Sequence, residues 1–184
     1  MIKVLIPSVQ SGLTNVVLLD LDNLSTLITG LPGIENAPVQ IHSLGHGDSF
    51  GLGIDAMKIR EKYRTIQFKQ IVKIIEGLRK MPEGNGTMFD NTTIVYFPDN
   101  GERHHGEGYQ SPRIIISGKN SKLNVAGRYI RIPKYGEKGH KTLSNFYTTF
   151  LNAYGNSIEH FGDSDTELVG KKVFQHGAIK EFIS

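Results

Sequence analysis

The stretch from Asp55 to Lys80 constrains this chain most. Ala56, Ile59, Tyr63, Ile66, Ile71, Ile74, Ile75 and Leu78 recur at steps of three and four, with Lys and Arg between them. That spacing predicts a long amphipathic helix. Met81-Pro82-Glu83-Gly84-Asn85-Gly86 ends it, because proline cannot continue a helix and the glycines adopt turn conformations.

The other elements are shorter. Residues 3 to 12 predict a short helix, kinked or started late by Pro7, that ends at Gly12. Val16-Val17-Leu18-Leu19 reads as a buried strand, apolar on both faces like those of parallel sheets. A loop from Gly30 to Pro38 leads into Val39-Gln40-Ile41. Asp90-Asn91 opens a second apolar strand, Thr92 to Phe97, and Arg113 to Ser117 forms a third, closed by Gly118. Residues Arg128 to Ile132 alternate as an edge strand or hairpin arm would. A last helix runs from about Lys141 to Tyr154 on the stripe Leu143, Phe146, Tyr147, Phe150, Leu151, Tyr154, and Gly155 stops it. The tail, 163–184, is poorly patterned, which predicts irregular structure or a partner-docking segment. Together these elements predict an α/β chain, with a parallel or mixed sheet flanked by helices.

At 184 residues the length suits one domain with a substantial core. No apolar run approaches the roughly 20 residues needed to cross a bilayer. The start, Met1 to Pro7, lacks the long apolar stretch of a secretory signal, so the chain reads as cytoplasmic or stripped of its targeting segment. The net charge of +3 reads as modest and scattered, without the basic block that tracks a nucleic-acid backbone. With no cysteine, disulfides and thiolate metal sites are excluded. Any metal here needs N and O ligands, which points to zinc, manganese, magnesium, calcium or iron.

Five of the seven histidines stand in positions where a metal could be held. His42 and His46 are four apart: on a helix they share a face, as ligand pairs do, whereas Gly45 and Gly47 favour a loop at the edge of a sheet. Asp99-Asn100-Gly101 follows an apolar strand, as a turn or as hard oxygen ligands at the strand's carboxyl end. Arg103-His104-His105-Gly106-Glu107 comes next, a concentration of cations that a metal or an anion would organise, with Arg103 as a clamp for an oxyanion. His140, just before the last helix, caps it, begins it or joins the site. His160 and His176 read as surface residues.

Several of these motifs, in order, resemble a known pattern. Asp90-Asn91-Thr92 through Asp99-Asn100-Gly101 is similar to the alkaline-phosphatase and sulfatase-like superfamily, where an apolar strand ending in Asp-Asn-Gly or Asp-His-Gly precedes metal-binding histidines. His42-Ser43-Leu44-Gly45-His46, Pro82 to Thr87, Arg103-His104-His105 and Tyr135 to Leu143 resemble, within that superfamily, a large bacterial family of exported proteins of unknown function. The resemblance runs from about Leu13 to Asp163. It implies an α/β/α sandwich and a phosphate- or sulfate-ester hydrolase with one or two metals. By analogy His42 and His46 match the first ligand pair, Asp99 and Asn100 the second, and His104, His105 or His140 the last. His42 stands where the superfamily usually has a carboxylate.

The superfamily's Ser, Thr or modified Cys nucleophile belongs to a segment before the matched region. The resemblance therefore implies a C-terminal portion, one partial domain over 1–184, whose incomplete sheet a protein partner or second copy would cover. It also implies export of the full-length protein and a small anionic, sulfated or phosphorylated substrate, while charge and apolar run length predict no nucleic-acid partner and no membrane span. From another class comes a noncatalytic metal-stabilised binding or structural module, its histidines fixing loops or contacting a partner.

Overall fold

The computed structural model describes residues 2–21, 25, 27–97 and 112–183. The chain divides into two compact units, Met1–Met88 and Phe89–Ser184. It is a mixed α/β protein, in which helices accompany three two-stranded sheets, all antiparallel among the described residues.

Unit 1 is organised by its longest helix. It begins with α1 (Ile2–Gln10), followed by the short pair β1 (Leu27–Ile28) and β2 (Val39–Gln40), the single-turn α2 (Ile41–Gly45) and then α3 (Ala56–Arg79). Asp55 starts α3: its carboxylate accepts the Met57 N–H at 2.8 Å, satisfying one of the first-turn donors. The face carrying Ile59, Tyr63, Ile71, Ile74 and Leu78 is buried, as the three- and four-residue spacing requires. Its first half packs in a cluster with Leu31, Val39 and Leu44. Toward its other end α1 lies against it, and Gly77 permits the approach, since a Cβ there would collide with the Ile6 side chain. The helix stops at the predicted place, and the residues after it form a tight hairpin, β3 (Pro82–Glu83) with β4 (Gly86–Thr87), turning through Gly84 at φ +55°.

Unit 2 is built on β5 (Thr93–Tyr96), β6 (Ile114–Ser117) and α4 (Leu143–Ala153). The two strands run antiparallel in the register Thr93 to Ser117 through Tyr96 to Ile114. Gly118 then passes over the 3-10 turn Met88–Asn91 so closely that a Cβ would strike the carbonyls of Phe89 and Asp90. Leu123, Val125, Phe146, Ile179 and Phe182 form the core, with Val95 and Ile115 of the strands packed against it. Thr142 and Asn145 close α4's first turn with a reciprocal capping box.

Three expectations about elements need correction. Val16 and Leu18 are each 84% exposed and the 16–19 run is not a strand: no described residue pairs with it, and apolar composition alone cannot supply ladder hydrogen bonds. Residues 128–132 make no strand either, although Ile130 and Ile132 still face the core, which is the physical content of their alternation. The tail is more ordered than its pattern suggested. It carries α5 (Thr166–Gly170), capped by Asp165, and a 3-10 turn, Lys180–Phe182, with Leu168, Ile179 and Phe182 buried.

Fully buried Asn145 fastens that tail. Its Nδ2 donates to the carbonyls of Gln175, His176 and Gly177 at 2.8, 3.2 and 2.8 Å, while its Oδ1 accepts the Thr142 N–H at 2.9 Å. One turn on, the Thr149 hydroxyl oxygen accepts the Ile179 N–H at 2.7 Å. Asn145→Leu takes the partner from the buried Gln175 carbonyl and from the partly buried groups of Thr142 and Gly177, a buried group so left costing about 1–3 kcal/mol. We expect urea unfolding to show a loss of about 3 kcal/mol or more for this variant. A loss under about 0.5 kcal/mol would show that the tail is held by its apolar contacts alone.

Candidate functional site

The His42–His46 pair is the most developed constellation among the described residues. The sequence left it between helix and loop, with glycine favouring the loop; the structure makes it helical. Ile41 and Leu44, three apart, turn inward, and Leu44 is only 2% exposed in the unit 1 core. That burial fixes the turn, so His42 and His46, four apart, emerge together on its solvent side. Gly45 is tolerated inside the turn, while Gly47, at φ +90°, occupies the left-handed position that ends it. The His46 N–H closes the helix onto the carbonyls of His42 and Ser43.

The two Nε2 atoms lie 3.1 Å apart, with ring centroids 4.7 Å apart and planes inclined by 56°. When one ring carries its proton on Nε2, this separation is a hydrogen bond. It is also close to what one cation demands, since two nitrogens each about 2.0–2.1 Å from a tetrahedral zinc lie roughly 3.3 Å apart. Arg60 on α3 makes long hydrogen bonds, 3.4 Å each, to the carbonyls of Leu44 and Gly45. It thereby ties the carboxyl end of α2, beside His46, to α3. Its positive charge suits the negative end of the helix.

His140 belongs to unit 2 and precedes the capping residue Thr142, so it neither begins nor caps α4. Its Nδ1 faces the Pro133 carbonyl at 2.9 Å, and its ring meets Tyr135 edge-on at 5.5 Å. A proton on Nδ1, donated to that carbonyl, leaves Nε2 as the lone-pair nitrogen, the arrangement by which metal-binding histidines are usually oriented. Asp99, Asn100, Arg103, His104 and His105 lie outside the described residues. Among the described residues, no group of three or more His, Asp or Glu side chains is placed to hold a metal ion.

His160 and His176, expected to be surface residues, are stacked with centroids 4.6 Å apart and planes inclined by 34°. His160 Nδ1 is buried and has no hydrogen-bond partner among the described residues, and Nε2 is 3.5 Å from the Ser164 hydroxyl. His176 and Ser164 line a small hollow of about 260 Å³. No local pattern announces the pair. It forms because Asn145 holds the backbone at 175–177 and the Gly177 N–H bonds the Glu159 carbonyl.

The segment bearing His140 is anchored through Tyr135. Its hydroxyl donates to Asp165 Oδ2 at 2.7 Å and lies 3.3 Å from Glu167 Oε2, and Lys171 Nζ sits 4.8 Å from the ring centre. The Tyr135 bond is the main reason the Asp165 carboxyl titrates below its ordinary range; the N–H groups of Leu168 and Glu167 and the charge of Lys171 add to this, against partial desolvation. The Tyr135 hydroxyl is shifted well upward, first by its bond to Asp165 and then by desolvation.

No family model, curated protein or solved structure matches the chain. No described helix is long and apolar enough to cross a membrane.

A pH dependence follows from Asp165. A carboxyl whose pKa is lowered by folding stabilises the fold above the unfolded value, about 3.9, and loses that contribution as pH falls through the folded value. Tyr135→Phe is therefore expected to be less stable than wild type at pH 7, with the difference shrinking below about pH 4 as Asp165 protonates. Urea unfolding at several pH values measures this. A difference independent of pH would show that Tyr135 acts through its ring alone.

Proposed function

We propose that this chain is the metal-binding portion of a phosphate- or sulfate-ester hydrolase-like protein, with His42 and His46 as a two-nitrogen ligand arm for a divalent cation. One observation carries the reading: the 3.1 Å separation of the Nε2 atoms on an exposed turn whose opposite side is fixed in the core. Two imidazoles favour zinc or iron over magnesium, calcium or manganese, which prefer oxygen ligands. When bound, such a cation polarises an ester oxygen and stabilises the leaving group.

The chain's own residues would orient and bind. Leu44 and Arg60 hold the turn that presents the two imidazoles, and Arg103 takes the nonbridging oxygens of the ester. Asp99, Asn100, His104, His105 and His140 are the further ligand candidates that the resemblance names. No residue of this chain is assigned as nucleophile. The proposal includes an α/β/α sandwich with a parallel or mixed sheet. Half-burial of Ile94 and Val95 on alternate faces of β5 supports a sheet covered on both sides, and the antiparallel pairing of β5 with β6 makes the mixed form the one proposed.

Titration calorimetry with zinc tests the metal reading. Wild type should bind with near one-to-one stoichiometry, and His42→Ala and His46→Ala should each weaken binding about tenfold or more with unchanged circular dichroism. Loss of affinity in Asp99→Ala or His105→Ala would extend the ligand set. Binding unaltered by either histidine change would overturn the assignment. Chelator-sensitive hydrolysis of an aryl phosphate or sulfate by the metal-loaded chain would mark a catalytic site, and stable metal binding without turnover would mark a noncatalytic module.

A further inference from the structure

The charge on this chain is not scattered as its composition suggested. The α3 helix alone carries seven Lys and Arg against two Glu, a larger net charge than the +3 of the whole chain. Its buried face is apolar apart from Gln67 and holds no cation, so the cations crowd the remaining faces. Along one of these runs a shallow groove of about 650 Å³. Met57, Phe68 and Val72 supply apolar contact, with Met57 61% and Val72 50% exposed. Lys58, Arg60, Arg64 and Lys69 supply positive charge, and Glu61, paired with Lys58 at 3.2 Å, is the one acidic side chain in the lining among the described residues. From Met57 to Val72 the helix rises roughly 22 Å, the length of about fifteen helical residues lying alongside it.

We propose that this face of α3 is a docking site for an acidic amphipathic helix. Charge complementarity selects the occupant: a partner with Glu or Asp flanking a narrow apolar stripe would meet both the basic side chains and the apolar contacts. A nucleic-acid strand fits less well, because a single half-buried phenylalanine offers little for base stacking. A bilayer surface also fits less well, as Thr65 interrupts the apolar residues midway and, among the described residues, no aromatic side chain stands at the groove's ends. The inference requires no metal at His42 and His46, although the groove shares Arg60 with the turn that presents them.

The test is fluorescence anisotropy on the whole chain with a labelled synthetic helix of about sixteen residues, its leucines three and four apart and glutamates on both flanks. The same peptide with lysine for glutamate, vesicles containing phosphatidylserine, and an oligothymidine serve as competing probes. The acidic peptide should bind and the lysine peptide should not. Arg64→Glu and Val72→Asp should each weaken binding about tenfold or more with circular dichroism unchanged. Should Val72→Asp fail to fold, Met57→Glu at the exposed end of the groove takes its place. The proposal is overturned by no binding of the acidic peptide, by equal binding of both peptides, by variants that bind like wild type, or by tighter binding to the vesicles or the oligonucleotide.

Discussion

Burial of Leu44 is the constraint on which the candidate site depends. A single helical turn has almost no stability of its own, since nucleation fixes several residues for one hydrogen bond. What holds α2 is that Leu44 enters the cluster of Leu31, Val39, Ile59 and Tyr63, and that Arg60 reaches back from α3 to its last carbonyls. The two imidazoles are presented by this rigid turn, which the His46 N–H helps to close. A chelating pair gains from such a frame because its rings need little reordering when a cation arrives. The order of causes runs from the period of α3, through the core it organises, to the turn it supports and the imidazoles that turn presents.

Unit 2 solves a different problem. Its core is closed by a tail with little hydrophobic pattern of its own, so polar groups do the fastening: Asn145 takes three consecutive carbonyls and Thr149 takes the Ile179 N–H. Once the tail is in place, Ile179 and Phe182 can pack against Phe146. The cation of Arg113 rests over the Phe146 ring, 4.7 Å from its centre, where partial burial draws its pKa somewhat below the usual arginine value. The same closure brings His176 onto His160, and Tyr135 binds the loop of His140 to α5.

Much of the secondary structure was legible because its signals are local. The stripe of α3, the aromatic stripe of α4, the isoleucines of β6 and the stops at Met81–Pro82 and Gly155 all act within a few residues. Strand partners were not legible: Val16–Leu19 has the composition of a strand without one, whereas β5 and β6 pair antiparallel across a long connection. The histidine turn was misjudged because the glycines were weighed without the burial of Leu44, which depends on α3. His160 and His176 escaped for a similar reason, since their meeting depends on Asn145, whose polar side chain gives no periodic signal. The basic face of α3 was hidden by a whole-chain charge that averages it with acidic sequence elsewhere.

The central claim is that His42 and His46 bind one cation together. X-ray absorption at the zinc edge, on the zinc-loaded chain and on a variant with both histidines changed to alanine, tests it most directly. The account predicts imidazole scattering with nitrogens at about 2.0–2.1 Å in wild type and its loss or reduction by two ligands in the variant. An identical spectrum from both proteins, or a shell of oxygen ligands alone in wild type, would contradict it.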